Sequence, residues 1–428
     1  MNRLPTGVPG PNGKRSSLDD VTVASHNGIT EVVSLVAGSQ DNVVDAANGG
    51  RTPERLHAWL AEIEDGLWTG PAWPGVTVAE VAKAAAALSD LYTVERGVLV
   101  REQGDRGHLL AKCLFFLASD APKVALALAE CAERDRRFAA PTSVLDVGCG
   151  VGATSVGLLL ALGLRGVRQV RLTGVDHASA VLEHWVRHVR LAAAVIGIEV
   201  TLRTFAEDAL RHRPAPDTDL VLCQTALNER LPGNRAGEID HDRATEELVR
   251  GWATRAPTLL VEPALRTTTR ALQRLRDRLL ADDALDVVAP CPHRSACPML
   301  PSERDWCHES RRFPPSPRVE AVQAITRRRD DRLLFSFLAL APRAAAAPSG
   351  DGCLWRLVSD PLGSRGKTER WVCCDDGRLR QVRVLDRERR PSNELLVEGE
   401  RGTLVRLPTM PPSDRIAPDQ MVTRAFER

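Results

Sequence analysis

The stretch SVLDVGCGVGATS, from Ser143 to Ser155, constrains the fold more than any other part of the chain. An apolar run leads into Asp146, then Gly148, Gly150 and Gly152 alternate with other residues, and helix-forming sequence begins near Ala153. Glycine lets a backbone turn tightly and come close to a ligand. In a strand–loop–helix unit that approach falls at the carboxyl end of a parallel strand, where open sheets bind their ligands. Downstream, VRLTGVD closes on Asp176, and DLVLCQTAL and TLLVEPA each precede a helical stretch. Short apolar strands alternating with longer helices predict an α/β fold, a parallel sheet with helices on both faces.

At 428 residues the chain exceeds one ordinary core, so several units are expected. Residues 1–50 have the sparse hydrophobicity of a disordered tail. Residues 51–138 place apolar side chains three and four apart and read as a helical region. The sheet domain is expected over 139–342, with a cysteine-rich segment at 288–318 inside it and RLLFSFLALAP as its last strand. After the break PRAAAAPSGDG, a β-rich lobe over 343–428 is expected, with CLWRLVSD, TERWVCCDDGRLRQVRVL and ELLVEGERGTLVRL as hairpin strands. The apolar run SVGLLLALGL is too short to span a bilayer. The N-terminus MNRLPTGVPGPNGKRSS lacks a secretory pattern, so a cytoplasmic chain with reduced thiols is expected. The net charge of +1 is uneven: residues 251–428 carry +7, almost all from arginine, and residues 1–250 carry −6. Arginine pairs with phosphate in bidentate fashion, but a solvated arginine-rich face has the same composition.

The acidic end of the second strand suits a ribose diol, as in dinucleotide sites, whose fingerprint is G-x-G-x-x-G. The spacing here is D-x-G-x-G-x-G, which resembles the first motif of class I S-adenosylmethionine-dependent methyltransferases. That resemblance implies Asp146, Gly148, Gly150 and Gly152 facing the methionine moiety and Asp176 on the ribose hydroxyls. Asp208, in FAEDAL after the third strand, is a candidate for the adenine side, beside an ordinary role as a helix N-terminal acid. Enzymes that methylate nitrogen often carry Asn or Asp before Pro-Pro and an aromatic after the fourth strand. Here the chain has CQTALNERLP. Asn228 and Glu229 are therefore the catalytic candidates, beside an ordinary helix-start role for the same residues.

The second dense feature is CPHRSACPMLPSERDWCHESRR. Cys291, Cys297 and Cys307 are spaced C-x5-C-x9-C, with His293 and His308 nearby. Such clustering in a reduced compartment points to a metal. Zinc favours short C-x2-4-C knuckles and could recruit a histidine. An iron–sulfur cluster is held by thiolates. Cys353, Cys373 and Cys374 are the only cysteines downstream.

Together, CPH, CP, DWCH, the arginine-rich stretch, LLFSFLAL and a Cys-bearing strand before an acidic-Gly turn are similar to the mitoribosomal small-subunit methyltransferase-like family, which has bacterial members. The resemblance covers about Asp90 to Val384. It implies a [4Fe-4S] cluster on Cys291, Cys297 and Cys307, with Cys374 preferred over Cys373 as the fourth ligand, and zinc as the alternative. It implies association with the assembling small ribosomal subunit and its rRNA; a monomer is expected. Departures at Ala264, where the family has glycine, and Glu309, where it has an aromatic, bear on the substrate side. The segment from Ala289 to Arg318 holds seven prolines, so ligation would order what apolar burial could not. Arg294, Arg311, Arg312, Arg318 and Arg327 to Arg329 would then form one RNA-gripping surface. Three functions follow as expectations: a methyltransferase acting on the small subunit, a non-catalytic assembly factor of the same fold, or a zinc-containing small-molecule methyltransferase. Radical chemistry needs C-x3-C-x2-C, which this chain lacks.

Overall fold

The computed structural model describes residues 22–26, 29–34, 52–93, 105–209, 211–230, 241–327, 331–344 and 352–426. Two strands, β1 (Thr22–His26) and β2 (Ile29–Ser34), come first and pair antiparallel. They lie in the stretch expected to be a disordered tail, which is thereby corrected. The two strands are rich in β-branched residues, and Asn27-Gly28 between them is a strong two-residue hairpin signal. The rest of the expected tail lies outside the described residues.

The helical region follows: α1 (Thr52–Thr69), α2 (Val78–Thr93), α3 (Arg106–Ala111), a π-helical turn (Lys112–Phe116) and α4 (Leu117–Arg134). Asp105 caps α3 by accepting from the N–H groups of Gly107 and His108. In α4, Ala118, Ala121, Val124, Ala125 and Leu128 are buried, the three-and-four spacing that gives a helix one apolar stripe. That stripe packs into the same core as the central sheet, so the region is a layer of the sheet domain with no core of its own.

The sheet domain contains β3 (Ser143–Val147), α5 (Ala153–Leu164), β4 (Gln169–Asp176), α6 (Ser179–Ile196), β5 (Glu199–Ala206), β6 (Leu220–Gln224), α7 (Arg243–Ala253), β7 (Thr258–Pro263), α8 (Arg266–Leu279), β8 (Leu285–Ala289), β9 (Glu309–Arg312), α9 (Pro317–Thr326) and β10 (Arg332–Pro342). The order across the sheet is β1-β2-β5-β4-β3-β6-β7-β10-β8, with β9 also paired to β10. From β5 to β7 the pairings are parallel. β10 runs antiparallel between β7 and β8. The chain reverses direction at β3, where the crossovers go first to one side and then to the other, and this is the switch point at which such sheets open a crevice. Helices cover both faces, one core lying under α1, α4, α5 and α6 and the other under α7 and α8.

The C-terminal lobe has β11 (Cys353–Leu357), β12 (Leu362–Ser364), β13 (Lys367–Cys374), β14 (Leu379–Leu385), α10 (Glu394–Glu398), β15 (Leu404–Leu407) and β16 (Thr423–Arg424). Its sheet has its own core of Trp355, Leu357, Val372, Cys374 and Leu407. The ELLVE portion of the expected hairpin is the short helix α10 instead. Leu396 and Val397 are the residues it buries, and Glu and Leu favour helix over strand. Among the described residues no helix is long and apolar enough to cross a membrane.

Candidate functional site

A cleft of about 550 Å³ opens at the carboxyl ends of β3, β4, β6 and β7. The loop after β3 forms its floor. Gly148 has φ +67° and Gly150 φ +50°, left-handed values that glycine takes at little cost. A Cβ on Gly148 would stand 2.6 Å from the Ala226 Cβ, while the space beside Gly150 is open. The N–H groups of Gly148 and Cys149 both donate to the Val175 carbonyl, at 2.9 and 3.1 Å.

Asp176 lines the cleft, and its carboxylate accepts from the Gly150 N–H at 3.0 Å and the Ala178 N–H at 3.1 Å. One residue thus holds both the loop and the start of α6. Asp208 also lines the cleft, at an exposed position 3.5 Å from Arg211.

Asp146 and Gly152 do not line the cleft. Asp146 is buried beneath the loop and accepts from the Ser155 hydroxyl at 2.6 Å, and Trp185 Nε1 donates to the same hydroxyl at 3.1 Å. Burial pushes the Asp146 carboxyl up to about 7, against the lowering by its hydrogen bonds. Gly152 packs on Trp185, whose Cδ1 would be 3.3 Å from an added Cβ. The expectation that both face the ligand is corrected: the Asp146 carboxylate is turned in beneath the loop toward Ser155, and Gly152 is packed against Trp185 at the start of α5.

Asn228 and Glu229 lie together on the opposite wall, in the turn after β6. Asn228 is nearly buried, and its Oδ1 has no hydrogen-bond partner. Thr225, which the sequence reading passed over, has φ +57° and lines the same wall. A β-branched residue in the left-handed region is strained, and such strain gathers at working sites. Gln224 is fixed beside it, accepting from Thr154 Oγ1 and donating to the Asp120 carbonyl, both at 3.2 Å. The signal available in sequence was position alone, since a polar pair directly after the fourth strand faces the crevice.

Cysteines from two parts of the chain meet in a second cavity of about 50 Å³. Cys291, Cys297, Cys307 and Cys373 line it, with Met299, Val358, Phe337 and Leu338 among the apolar walls. Burial, and then the nearby thiols of Cys291, Cys307 and Cys297, push the Cys373 thiol far up. His293 Nε2 lies 3.3 Å from Cys373 Sγ. Among the described residues, no three ligand atoms of this chamber lie all within 4.8 Å of one another.

Cys374 is not in the chamber. On β13 it pairs with Trp355 while Cys373 pairs with Arg356, and adjacent strand residues point to opposite faces. Cys374 is fully buried in the lobe's own core, so the preference for Cys374 is reversed by the pleat. His308, near Cys307 in sequence, stacks on Trp306 at 5.5 Å.

The chamber is buttressed by charge. Arg356 is buried and donates to Glu130 at 2.6 Å, to Glu309 and to the Pro290 carbonyl at 3.0 Å. Arg276 donates to the Ser295 and His293 carbonyls, each at 2.6 Å, and Arg134 to the Cys291 carbonyl at 2.8 Å.

The expected single arginine surface is divided. Arg311 is buried against Glu309 and the Gly402 carbonyl, Arg294 is held by Asp286 and the Leu285 carbonyl, and Arg318 pairs with Asp65 while stacking on Trp68. Arg312 and Arg327 are exposed. Arg328 and Arg329 lie outside the described residues.

The family model described as mitochondrial small ribosomal subunit Rsm22 matches residues 111–396. No curated protein matches this chain. Among solved structures, the plantazolicin methyltransferase BpumL in complex with SAH is 11% identical and covers 69% of this chain and 100% of its own, with a TM-score of 0.29. A SAM-dependent methyltransferase from Thiobacillus denitrificans is 17% identical, covering 52% of this chain and 92% of its own at a TM-score of 0.27. One from Geobacter sulfurreducens is 16% identical, covering 52% and 91% at 0.28. The strand order and the antiparallel β10 give the chain itself a class I methyltransferase-like sheet.

Proposed function

This chain belongs to the family of the mitochondrial small ribosomal subunit protein Rsm22, and from that membership we propose an S-adenosylmethionine-dependent methyltransferase-like protein that carries a [4Fe-4S] cluster and serves small-subunit assembly through rRNA. It works as a monomer in the cytoplasm. The observation that carries the reading is the cleft, of about 550 Å³, where the Gly148–Gly150 loop, Asp176 and the unpartnered Asn228 oxygen face one space. That volume suits a nucleoside-sized ligand. Asp176 would bind the ribose and Asp208 would flank the base. Asn228 and Glu229, across from the loop, would orient the group that receives the methyl.

Cys291, Cys297, Cys307 and Cys373 would hold the cluster. Four sulfurs around an apolar-walled cavity, on two buried and two half-buried cysteines, fit a thiolate-ligated iron–sulfur centre. Their spread, with no three ligand atoms within 4.8 Å, suits several metal atoms better than one zinc ion, which gathers its ligands tightly. The group's role here is to cross-link: it would tie the proline-rich segment to β13 and so seat the lobe on the sheet domain. The exposed Arg312 and Arg327 would contribute phosphate contacts to an RNA surface.

A second reading, a non-catalytic assembly factor, is favoured by one feature. The turn after β6 reads Ala-Leu-Asn-Glu where an amino-methylating enzyme would have its Pro-Pro-aromatic.

The test is anaerobic purification with iron, sulfide and absorption analysis, followed by incubation with labelled S-adenosylmethionine and immature small subunits. About four irons per chain and label in the small-subunit RNA are expected. Iron without label supports the assembly factor. Stoichiometric zinc in the chamber and no binding to RNA overturn the proposal.

A further inference from the structure

Behind the glycine-rich loop, away from the four-cysteine chamber, lies a second group of soft ligands. His184 and His188 sit four residues apart on α6, one turn of helix, which puts both rings on one face. Cys113 comes to them from the π-helical turn Lys112–Phe116. One ligand atom from each of the three lies within 4.8 Å of the others, and among the described residues no other set of three or more Cys, His, Asp or Glu does so.

The surroundings have the features of a built site. His188 is buried, and its Nδ1 is 2.7 Å from the Val151 carbonyl. A carbonyl only accepts, so Nδ1 carries the proton and Nε2 keeps its lone pair, the arrangement that orients ligating histidines. His184 has a buried Nδ1 with no hydrogen-bond partner, and its ring is stacked by Trp73 at 5.6 Å. Cys113 is fully buried. Wide single turns inside helices recur at functional positions, and this one delivers the sulfur.

We propose that Cys113, His184 and His188 bind one thiophilic transition-metal ion of the zinc class, separate from the cysteine chamber. One sulfur and two neutral imidazole nitrogens form a three-ligand set that zinc accepts, with a fourth position left for water on the half-exposed His184 side. Binding releases the Cys113 thiol proton to solvent, so the thiolate's charge meets the ion's. Arg187 and Lys112 act electrostatically on Cys113 and Arg187 on both histidines, with Glu183 opposing it at His184. Burial nevertheless pushes the Cys113 thiol far up, the two cations opposing it only in part, and the cations beside the histidines set a limit on affinity.

The ion would pin α6 to the π-helical turn. Lys112 and Phe116 of that turn and Val151 of the loop line the large cleft, so the site would brace the cleft from behind.

The experiment is metal analysis of the iron-loaded full chain after dialysis against zinc, with His184→Gln and Cys113→Ser beside it. One zinc per chain is expected in the wild type, lost in both variants while iron stays constant. Cobalt(II) loading should give a sulfur-to-metal absorption absent from Cys113→Ser. His184 is half-exposed, so His184→Gln answers the question even where Cys113→Ser fails to fold. Wild-type chain that takes up no zinc, or zinc retained at full level in His184→Gln, overturns the proposal.

Discussion

Arg356 on β11 and Glu130 on α4 form an ion pair of 2.6 Å with both side chains almost wholly out of solvent. It joins the C-terminal lobe to the helical layer, and Glu309 on β9 completes it. Burial lowers the Arg356 pKa, but the two carboxylates outweigh it and raise the value well above normal. Removing one partner of a buried pair strands the others. Arg356→Met should cost about 3–5 kcal/mol, read by urea denaturation. Adding Glu130→Gln should restore part of it, whereas Glu309 keeps a second buried partner in Arg311 and should stay charged. A loss below about 1 kcal/mol for the single change would show that the network contributes little.

The cleft can be tested through Asp176. Its carboxylate accepts two backbone N–H bonds, and hydrogen bonds to a charged group are worth about 1.5–3 kcal/mol. Asp176→Asn should weaken S-adenosylhomocysteine binding by about tenfold to a hundredfold in calorimetry. Asp208→Asn, at an exposed position, should change it by only a few fold. Equal effects at the two positions would reject the division of roles.

Neighbouring cysteines separate the chamber from the lobe core. Cys373→Ser should abolish stable iron binding, whereas Cys374→Ser should keep the full complement, since its side chain lies on the other face of β13. Iron lost equally in both, with both variants folded by circular dichroism, would contradict the assignment.

A pH test follows from Glu64, which α1 buries near the start of α9. Burial raises its carboxyl to about 7, outweighing the hydrogen bond from Ser316 and the charge of Arg318. The folded state therefore keeps a proton that the unfolded chain loses above about 4.5. Stability from this group is full below that pH and falls as pH rises through about 7. Glu64→Gln has no such loss. Its advantage over wild type should grow by on the order of 2 kcal/mol between about pH 5 and 8. A constant difference across that range would remove Glu64 as the cause.

How much was legible in the residues themselves depends on how local each signal is. The strand, Gly148 and Gly150, and Asp176 could be read from a short window because the turn, the left-handed φ values and the strand end are all local properties of backbone and side chain. The same holds for β10 and for the three clustered cysteines. The hairpin of β1 and β2 was also local, through Asn-Gly, but its sparse hydrophobicity outweighed that signal.

Tertiary structure decided what depends on faces and distance. Cys373 and Cys374 are adjacent in sequence and chemically identical, and only the pleat, with Arg356 and Trp355 as their respective partners, sends one to the chamber and the other to a core. Asp146 and Asp176 both end strands, yet one is buried under Ser155 and the other faces the cleft. Arg311 and Arg312 divide in the same way between a buried ion pair and solvent. Cys113 meets His184 and His188 across more than seventy residues, which no spacing rule could foresee. Sequence determined which chemistry was present and where the chain must turn; packing decided which groups meet, because a side chain's direction is set by the element that buries its neighbours.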